Sequence, residues 1–384
     1  MKIQSKKNFI KFIMLTSLTV INAAASGQLV KGGGATLPDR FYMTLIENEF
    51  VNFAAYVGIG SGTGKAAFVT NNGQLFRHAE GSSVHYAASD SILTINDLDT
   101  YYTTSQGGWG PVIQIPAVAA AVLLPYKVAG QTALNLTDDQ VCQLFGVADQ
   151  TWDDVLGTGD TTQVRIVYRT DASGTTELLS NYLTAVCDGW NFTVSNQFST
   201  VVANALREPI PAHWIGTRYS SGVGAVFQGD HNGTLGYLTP DVDYTSADNR
   251  FVARVNGNLP DAAAIQDGIG NQAPPSGINA DNPLAWIPAY VQPEVGYPIF
   301  GTTNLLINQC YVDSAVGAEI FAFVERLNEL NDEVLASGQN NLITARNFVQ
   351  LPAHWNEAIR DTFLSSSSPL AIGNATACGS TGRP

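Results

Sequence analysis

Three short stretches pair a small hydroxyl residue with backbone N–H groups at an expected helix start. They are Ala35-Thr36-Leu37, Gly60-Ser61-Gly62 and Ser173-Gly174-Thr175-Thr176. A helix N-terminus carries unpaired donors and a partial positive charge, so each stretch suits an oxyanion. Charged residues stand close by: Asp90 at the end of a strand-like run, and Arg169 and Asp171 just ahead of the third stretch. Arg169 offers a planar fork that matches two oxygens of one anion. Each signal is weak alone, because Gly-Ser-Gly is commonly a turn and Ser-Gly-Thr before a helix is commonly a cap.

Other chemistries fail on spacing. A P-loop over Gly58–Lys65 needs Gly at 59 and Ser or Thr at 66, where Ile59 and Ala66 stand. A GxGxxG turn fails there too, since position 63 is Thr. His78, His85, His213, His231 and His354 show no metal-ligand spacing, and there is no GxSxG elbow. The hydroxyls of Ser61 and Ser173 have no base evident in the sequence. No catalytic residue, metal or cofactor is expected.

Elements must hold these stretches in place. Pro38 suits the first turn of an amphipathic helix through Phe41, Tyr42, Leu45, Ile46 and Phe50. Ala54–Ile59 reads as a buried strand ending at Gly60-Ser61-Gly62, and Val84–Ala88 as a strand ending at Ser89-Asp90-Ser91. Val112–Tyr126 is a long apolar run broken by Pro116 and Pro125, either two strand segments or one strand passing between domains. Val164–Tyr168 is a β-branched strand, followed by a helix through Leu178, Leu179, Tyr182 and Leu183. Thr234–Leu238 and Tyr297–Ile307 read as strands and Ala315–Leu330 as a helix, whereas Asp241–Pro298 is loop-rich. Strands alternating with helices give an α/β fold with mostly parallel sheets.

The chain of 384 residues is long enough for two domains. Charged residues are only 14%, against about 25% in ordinary globular chains, so a disordered chain is excluded. The net charge of −14 argues against a nucleic-acid partner, which needs a basic face. Residues 1–26 read as a secretory signal peptide, with four Lys, an apolar run from Phe12 to Ile21, then small residues. The protein is expected to be periplasmic or secreted. Cys142, Cys187, Cys310 and Cys378 suggest two disulfides in an exported chain, and the spacing leaves three pairings open.

Taken together and in order, the stretches resemble a known family. GGGATLP (32–38), GIGSGTGK (58–65), AASDS (87–91), YRTDASGTTEL (168–178), YPIFGTTNL (297–305) and AIGNATACGSTGRP (371–384) are similar to the phosphate-binding proteins of bacterial high-affinity phosphate ABC transporters, and closer still to their DING branch. The likeness departs at Leu29-Val30-Lys31-Gly32, where that branch has Asp-Ile-Asn-Gly. The resemblance implies a two-lobed type II periplasmic-binding-protein fold with mostly parallel sheets flanked by helices and a ligand cleft between the lobes. Residues 27–115 and 300–384 would form lobe I, and 116–299 lobe II. It implies inorganic phosphate held by Thr36, Leu37, Ser61, Asp90, Arg169, Ser173, Gly174 and Thr175, with Asp171 supporting Arg169. It further implies the pairings Cys142–Cys187 and Cys310–Cys378, which leave the hinge free. An ABC transporter membrane subunit is the implied protein partner, and a monomer is expected.

A carboxylate beside an anion needs a reason. Ionised Asp90 only accepts hydrogen bonds, so it takes the proton that mono- or dibasic phosphate carries. Sulfate has no such proton and would meet a second acceptor, which gives discrimination. The competing functions are a phosphoester hydrolase on the same cradle and a secreted interaction or adhesion protein on the same fold.

Overall fold

The computed structural model describes residues 29–244, 251–335, 339–379 and 381–384. The expected leader, 1–26, lies outside the described residues. Two sheets organise the chain. The first has five strands in the order Val57–Gly58, Gly32–Gly34, Tyr86–Ser89, Phe300–Asn308, Val112–Ala121. The second has four, in the order Tyr126–Lys127, Thr234–Gly236, Arg165–Arg169, Ile215–Thr217. The pairs that carry the site stretches are parallel: Gly32–Gly34 between its two neighbours, and Arg165–Arg169 between its two. The antiparallel pairs are those of Phe300–Asn308 with Tyr86–Ser89 and Val112–Ala121, and of Tyr126–Lys127 with Thr234–Gly236.

The long apolar run is two strands in succession, Val112–Ala121 in the first sheet and Tyr126–Lys127 in the second, so the chain crosses between the sheets along it. All ten residues of Val112–Ala121 are buried, as expected for a strand covered on both faces. Pairing with the first sheet continues to Ala121. Leu123 then bridges to Leu238, and Tyr126 pairs with Leu235 of the second sheet. The return path lies alongside: Val122 donates its N–H to Ile299 O at 2.8 Å, and the Tyr297 hydroxyl donates to Val122 O at 2.8 Å. The crossing therefore falls at 122–125, later than the boundary at 116 implied by the resemblance.

Several local expectations shift. Pro38 is the N-cap of the helix Asp39–Glu49 rather than a first-turn residue. The strand expected over Ala54–Ile59 shrinks to Val57–Gly58, paired with Gly33 and Gly34 of a three-residue strand, while Tyr56 just before it stacks on Tyr42. The stretch 241–298 contains the strand Arg254–Val255, paired with Asn135–Leu136, and the helix Ala262–Gly270. The expected helix at 315–330 runs Ser314–Asp332, capped by the Asp313 side chain.

The core beneath the first site stretch is aromatic. Tyr42, Phe50, Phe53 and Tyr86 surround Phe323 of the helix Ser314–Asp332, with ring centroids 5.1–6.0 Å away. The disulfides are Cys142–Cys187 and Cys310–Cys378, with Cα–Cα distances of 5.6 and 5.4 Å. This is the expected pairing, and neither bridge ties one sheet to the other. The C-terminus locks into the first sheet through Arg383, fully buried between the rings of Phe68 and Trp109. Its guanidinium donates to Phe68 O at 2.7 Å, to Asn308 Oδ1 at 3.1 Å and to Val84 O.

Candidate functional site

Each expected site residue stands at a strand end or a helix start, where the chain turns over the sheet edge. Thr36 and Leu37 join the strand Gly32–Gly34 to the helix Asp39–Glu49. Ser61 opens the helix Ser61–Thr70, and Asp90 follows the strand Tyr86–Ser89. Arg169 ends its strand, and Ser173 caps the helix Gly174–Val186 by accepting from Thr176 N–H at 3.3 Å. A hydroxyl that accepts from its own helix still has its proton to donate. These are the ends of parallel strands, where open α/β sheets collect ligands.

The structure brings the residues together across the two sheets. Ser61 Oγ donates to Asp90 Oδ2 and accepts from Asp90 N–H, both at 3.2 Å. Gly174 of the second-sheet helix packs onto this pair: a Cβ there would lie 2.4 Å from Asp90 Cβ and 2.5 Å from Ser61 Oγ. The glycine is required because the two halves meet at that point. Gly60 has φ +91°, and a Cβ there would come within 2.6 Å of Asp171 Oδ2.

Arg169 is held as a fork. Its Nε donates to Asp171 Oδ1 at 2.7 Å and its Nη2 to Asp171 Oδ2 at 2.5 Å, while Nη2 also reaches Thr36 Oγ1 at 3.1 Å. Burial pushes the Asp171 carboxyl up, but the hydrogen bonds and charge of Arg169, with the Tyr219 amide, hold it below its ordinary value. The carboxylate is thus committed to the guanidinium, as its supporting role requires.

Residues outside the expected set complete the wall. Ser220 N–H and its hydroxyl both lie 3.3 Å from Thr36 Oγ1, joining Arg169 there. Thr239 Oγ1 donates to Leu37 O at 2.7 Å. Tyr237 accepts Arg169 N–H at 3.0 Å and pairs with Thr176 Oγ1 at 2.8 Å. Glu177 Oε1 accepts Ile92 N–H at 3.2 Å, tying the second-sheet helix to the segment after Asp90. Only Ser220 carried a sequence signal: Tyr219-Ser220-Ser221-Gly222 opens a helix just after the strand Ile215–Thr217.

What is left open defines the chemistry. Thr36, Ser61, Asp90, Arg169, Ser173 and Thr175 are each no more than 3% exposed. Among the described residues, Asp90 Oδ1 and Thr175 Oγ1 are buried with no hydrogen-bond partner. The first-turn N–H groups of Gly174 and Thr175 have no intrahelical acceptor, and neither donates to a loop carbonyl. Groups from both sheets thus gather about the Asp90 carboxyl, which Ser61 and Gly174 touch and on which Arg169 acts electrostatically. Burial pushes the Asp90 carboxyl up to about 7, opposed by Thr303, Ser61 and Arg169. Near the helix start at Asp39, burial likewise raises that carboxyl to about 7 against Arg40 and Tyr244. Among the described residues no His, Cys, Asp and Glu group has the arrangement of a metal site.

Comparison with known proteins agrees with this architecture. The family model of the PBP superfamily domain matches residues 22–322. An alkaline phosphatase L of Pseudomonas aeruginosa is 38% identical over 379 residues, 98% of this chain and 100% of that protein. A phosphate-binding protein of an unknown prokaryotic organism is 33% identical over 382 residues, 92% of this chain and 100% of that protein. The phosphate-bound structure of a high-affinity periplasmic phosphate-binding protein, PfluDING, superposes with a TM-score of 0.79 at 34% identity, covering 93% of this chain and 99% of that one. The chain belongs to the PBP superfamily, in its branch of DING and phosphate-binding proteins.

Proposed function

We propose that this chain binds inorganic phosphate, without a chemical step, outside the cytoplasm, and delivers it to an ABC transporter. The observation that carries this reading is the donor set around one acceptor. The Nη1 group of Arg169 left over from Asp171, the hydroxyls of Ser173 and Thr175, and the N–H groups of Leu37, Gly174 and Thr175 would surround a dehydrated oxyanion, with the hydroxyls of Thr36 and Ser61, the latter now bonded to Asp90, turning to it on binding. Asp90 takes the proton that phosphate keeps and sulfate lacks. The phosphate named in the relatives' descriptions supports it.

Lobe I in this reading comprises residues 27–115 and 300–384, and lobe II residues 116–299, with the 116–121 segment still paired to lobe I. Hydrogen bonds between the halves, such as Arg169 to Thr36 and Thr239 to Leu37, are then made on closure. The closed monomer is the form presented to the membrane subunits.

Calorimetric titration of protein stripped of bound phosphate tests the reading. One-to-one binding of phosphate with no response to sulfate near pH 8 is expected. A folded, empty protein that gives no phosphate heat refutes it and leaves an interaction role on the same fold.

A second reading, phosphomonoester hydrolysis, rests on one contact: the Ser61 hydroxyl donates to a carboxyl raised to about 7, the relation of a nucleophile to its base. The relative called alkaline phosphatase L gives it a further reason for testing. Turnover of p-nitrophenyl phosphate that copurifies with the protein and is lost in Ser61→Ala would favour it. Turnover unchanged in that variant belongs to a contaminant.

A further inference from the structure

The strand Phe300–Asn308 is the antiparallel member of the first sheet, and the phosphate reading gives it no task. Its ladder with Tyr86–Ser89 ends at Asn304 opposite Ser89. One step further along the same ladder sets Thr303 opposite Asp90. On its other side the pairing slips by a residue at this point, with Thr303 facing Val118 and Asn304 facing Pro116. Such an irregularity re-aims side chains and often sits beside a functional site.

Three buried oxygens gather there. Asp90 Oδ1, Thr303 Oγ1 and the Tyr42 hydroxyl are all without a hydrogen bond of ordinary geometry among the described residues. Thr303 is nevertheless close enough for its hydroxyl to act on both Asp90 and Tyr42. Tyr42 is fixed from behind by its stack on Tyr56, with centroids 5.2 Å apart. The two Asp90 oxygens therefore face different ways. Oδ2 meets Ser61 and Gly174 on the cradle side. Oδ1 is the buried oxygen left without a partner.

We propose that Thr303 is a specificity-determining positioning residue: its hydroxyl, backed by that of Tyr42, donates to Asp90 Oδ1 and keeps Asp90 an acceptor for the ligand. The inference rests on the phosphate reading above. Burial alone favours the neutral carboxyl. A neutral Asp90 becomes a donor, and a donor accommodates sulfate. The other groups that act on Asp90 are Ser61 and Arg169, which favour its charge, and Glu177, which opposes it. The hydroxyls of Tyr42 and Tyr56 also lie within its electrostatic reach. Among these, Thr303 alone combines a register position opposite Asp90 with a hydroxyl not committed elsewhere.

The test compares wild type with Thr303→Val, Thr303→Ser and Tyr42→Phe, stripped of phosphate, in calorimetric titrations with sulfate and with phosphate from pH 5.5 to 9. Sulfate binding is expected only where Asp90 is protonated. In Thr303→Val its pH midpoint rises by about one unit, so sulfate affinity rises about fivefold near pH 8 and about tenfold near pH 9. Thr303→Ser restores the wild-type profile, and Tyr42→Phe shifts it the same way by less. Phosphate affinity changes little, because a proton on Asp90 replaces one on the ligand. A purely structural role predicts altered thermal stability with superimposed sulfate profiles, and that result overturns the inference. Carboxyl-detected NMR of Asp90 in the empty proteins gives a readout independent of ligand, with a higher midpoint in Thr303→Val expected. If empty wild type binds no phosphate, the parent reading falls and specificity with it. An Asp90 midpoint unchanged by Thr303→Val overturns the hydroxyl contact itself.

Discussion

Replacing Asp90 by Asn should stabilise the empty protein and spoil its selectivity. In the unfolded chain this carboxyl titrates near 3.8, and in the folded chain burial raises it to about 7. Folding therefore takes up a proton between those values, and stability linked to the group is full below about pH 4 and lost as pH rises through 7. At pH 8 the wild-type carboxyl is ionised in both states, and the difference corresponds to a penalty of about 4 kcal/mol. At pH 5 the folded group is neutral while the unfolded one still ionises, and the penalty falls to about 2 kcal/mol. Asn keeps the shape without the charge. Denaturant unfolding of stripped protein should show Asp90→Asn more stable by up to those amounts, with the gain larger at pH 8 than at pH 5. Excess phosphate should reverse the order, because only wild type offers the ligand's proton an acceptor. A gain independent of pH, or a variant less stable than wild type at pH 8, would refute the burial argument. The same variant should acquire sulfate binding, since its amide donates.

Other perturbations probe other parts of the site. Gly174→Ala puts a methyl against Asp90 Cβ and Ser61 Oγ, so it should cost about 1–3 kcal/mol of stability and, by the same wedging effect, reduce phosphate affinity about 5- to 150-fold, measured by calorimetry. Asp171→Asn leaves the Arg169 guanidinium buried and unpaired; a loss of about 3–5 kcal/mol is expected in the empty protein, and less with phosphate present to supply an anion. Arg383→Ala removes a buried guanidinium that ties Phe68, Val84 and Asn308 together, and should lower the free energy of unfolding by about 3 kcal/mol without altering sulfate exclusion. Phosphate affinity should change less than about threefold between low and high salt, because buried donors at contact distance are screened little, whatever the chain's charge of −14. A steep loss with added salt would instead assign recognition to long-range charge.

The parts of the site legible in sequence are those written in local conformation. A strand that stops at Gly, Ser or Thr and restarts as a helix shows in the order of residue types, and Thr36, Ser61 and Ser173 occupy such junctions in the structure. The Val112–Tyr126 run was legible as buried strand because full burial leaves no polar alternation, while its sequence left open whether it was two segments or a crossing. Glu177, Tyr237 and Thr303 were not, because their positions depend on register and packing between segments distant in sequence. Glu177 lies inside a quoted motif, yet its bond to Ile92 N–H spans 85 positions of chain. The strand Arg254–Val255 is two residues long, too short for any period to register, so its stretch read as loop. Pro38 took the cap position because the turn through Thr36 and Leu37 occupies the residues before it.

The contacts across the cleft also say why ligand should govern closure. With the two sheets as the moving bodies proposed above, the halves are joined near the site by Arg169 to Thr36, Ser220 to Thr36, Thr239 to Leu37 O and Glu177 to Ile92 N–H. A hydrogen bond of this kind contributes about 1 kcal/mol net, and those to charged groups about twice that, so the set is worth on the order of 5 kcal/mol. Against it stands the Asp90 carboxyl, buried and ionised at high pH. The closed form of the empty protein is therefore only modestly favoured there. In the proposed site, phosphate would add charge-assisted bonds to Arg169 from one sheet and to Ser61 from the other, and would give Asp90 a proton to accept. Those interactions exist only when the halves meet, so the ligand shifts the population toward closure by its differential affinity. Sulfate would gain the first set and forfeit the last, and the same carboxyl that weakens the empty closed form is what makes closure selective.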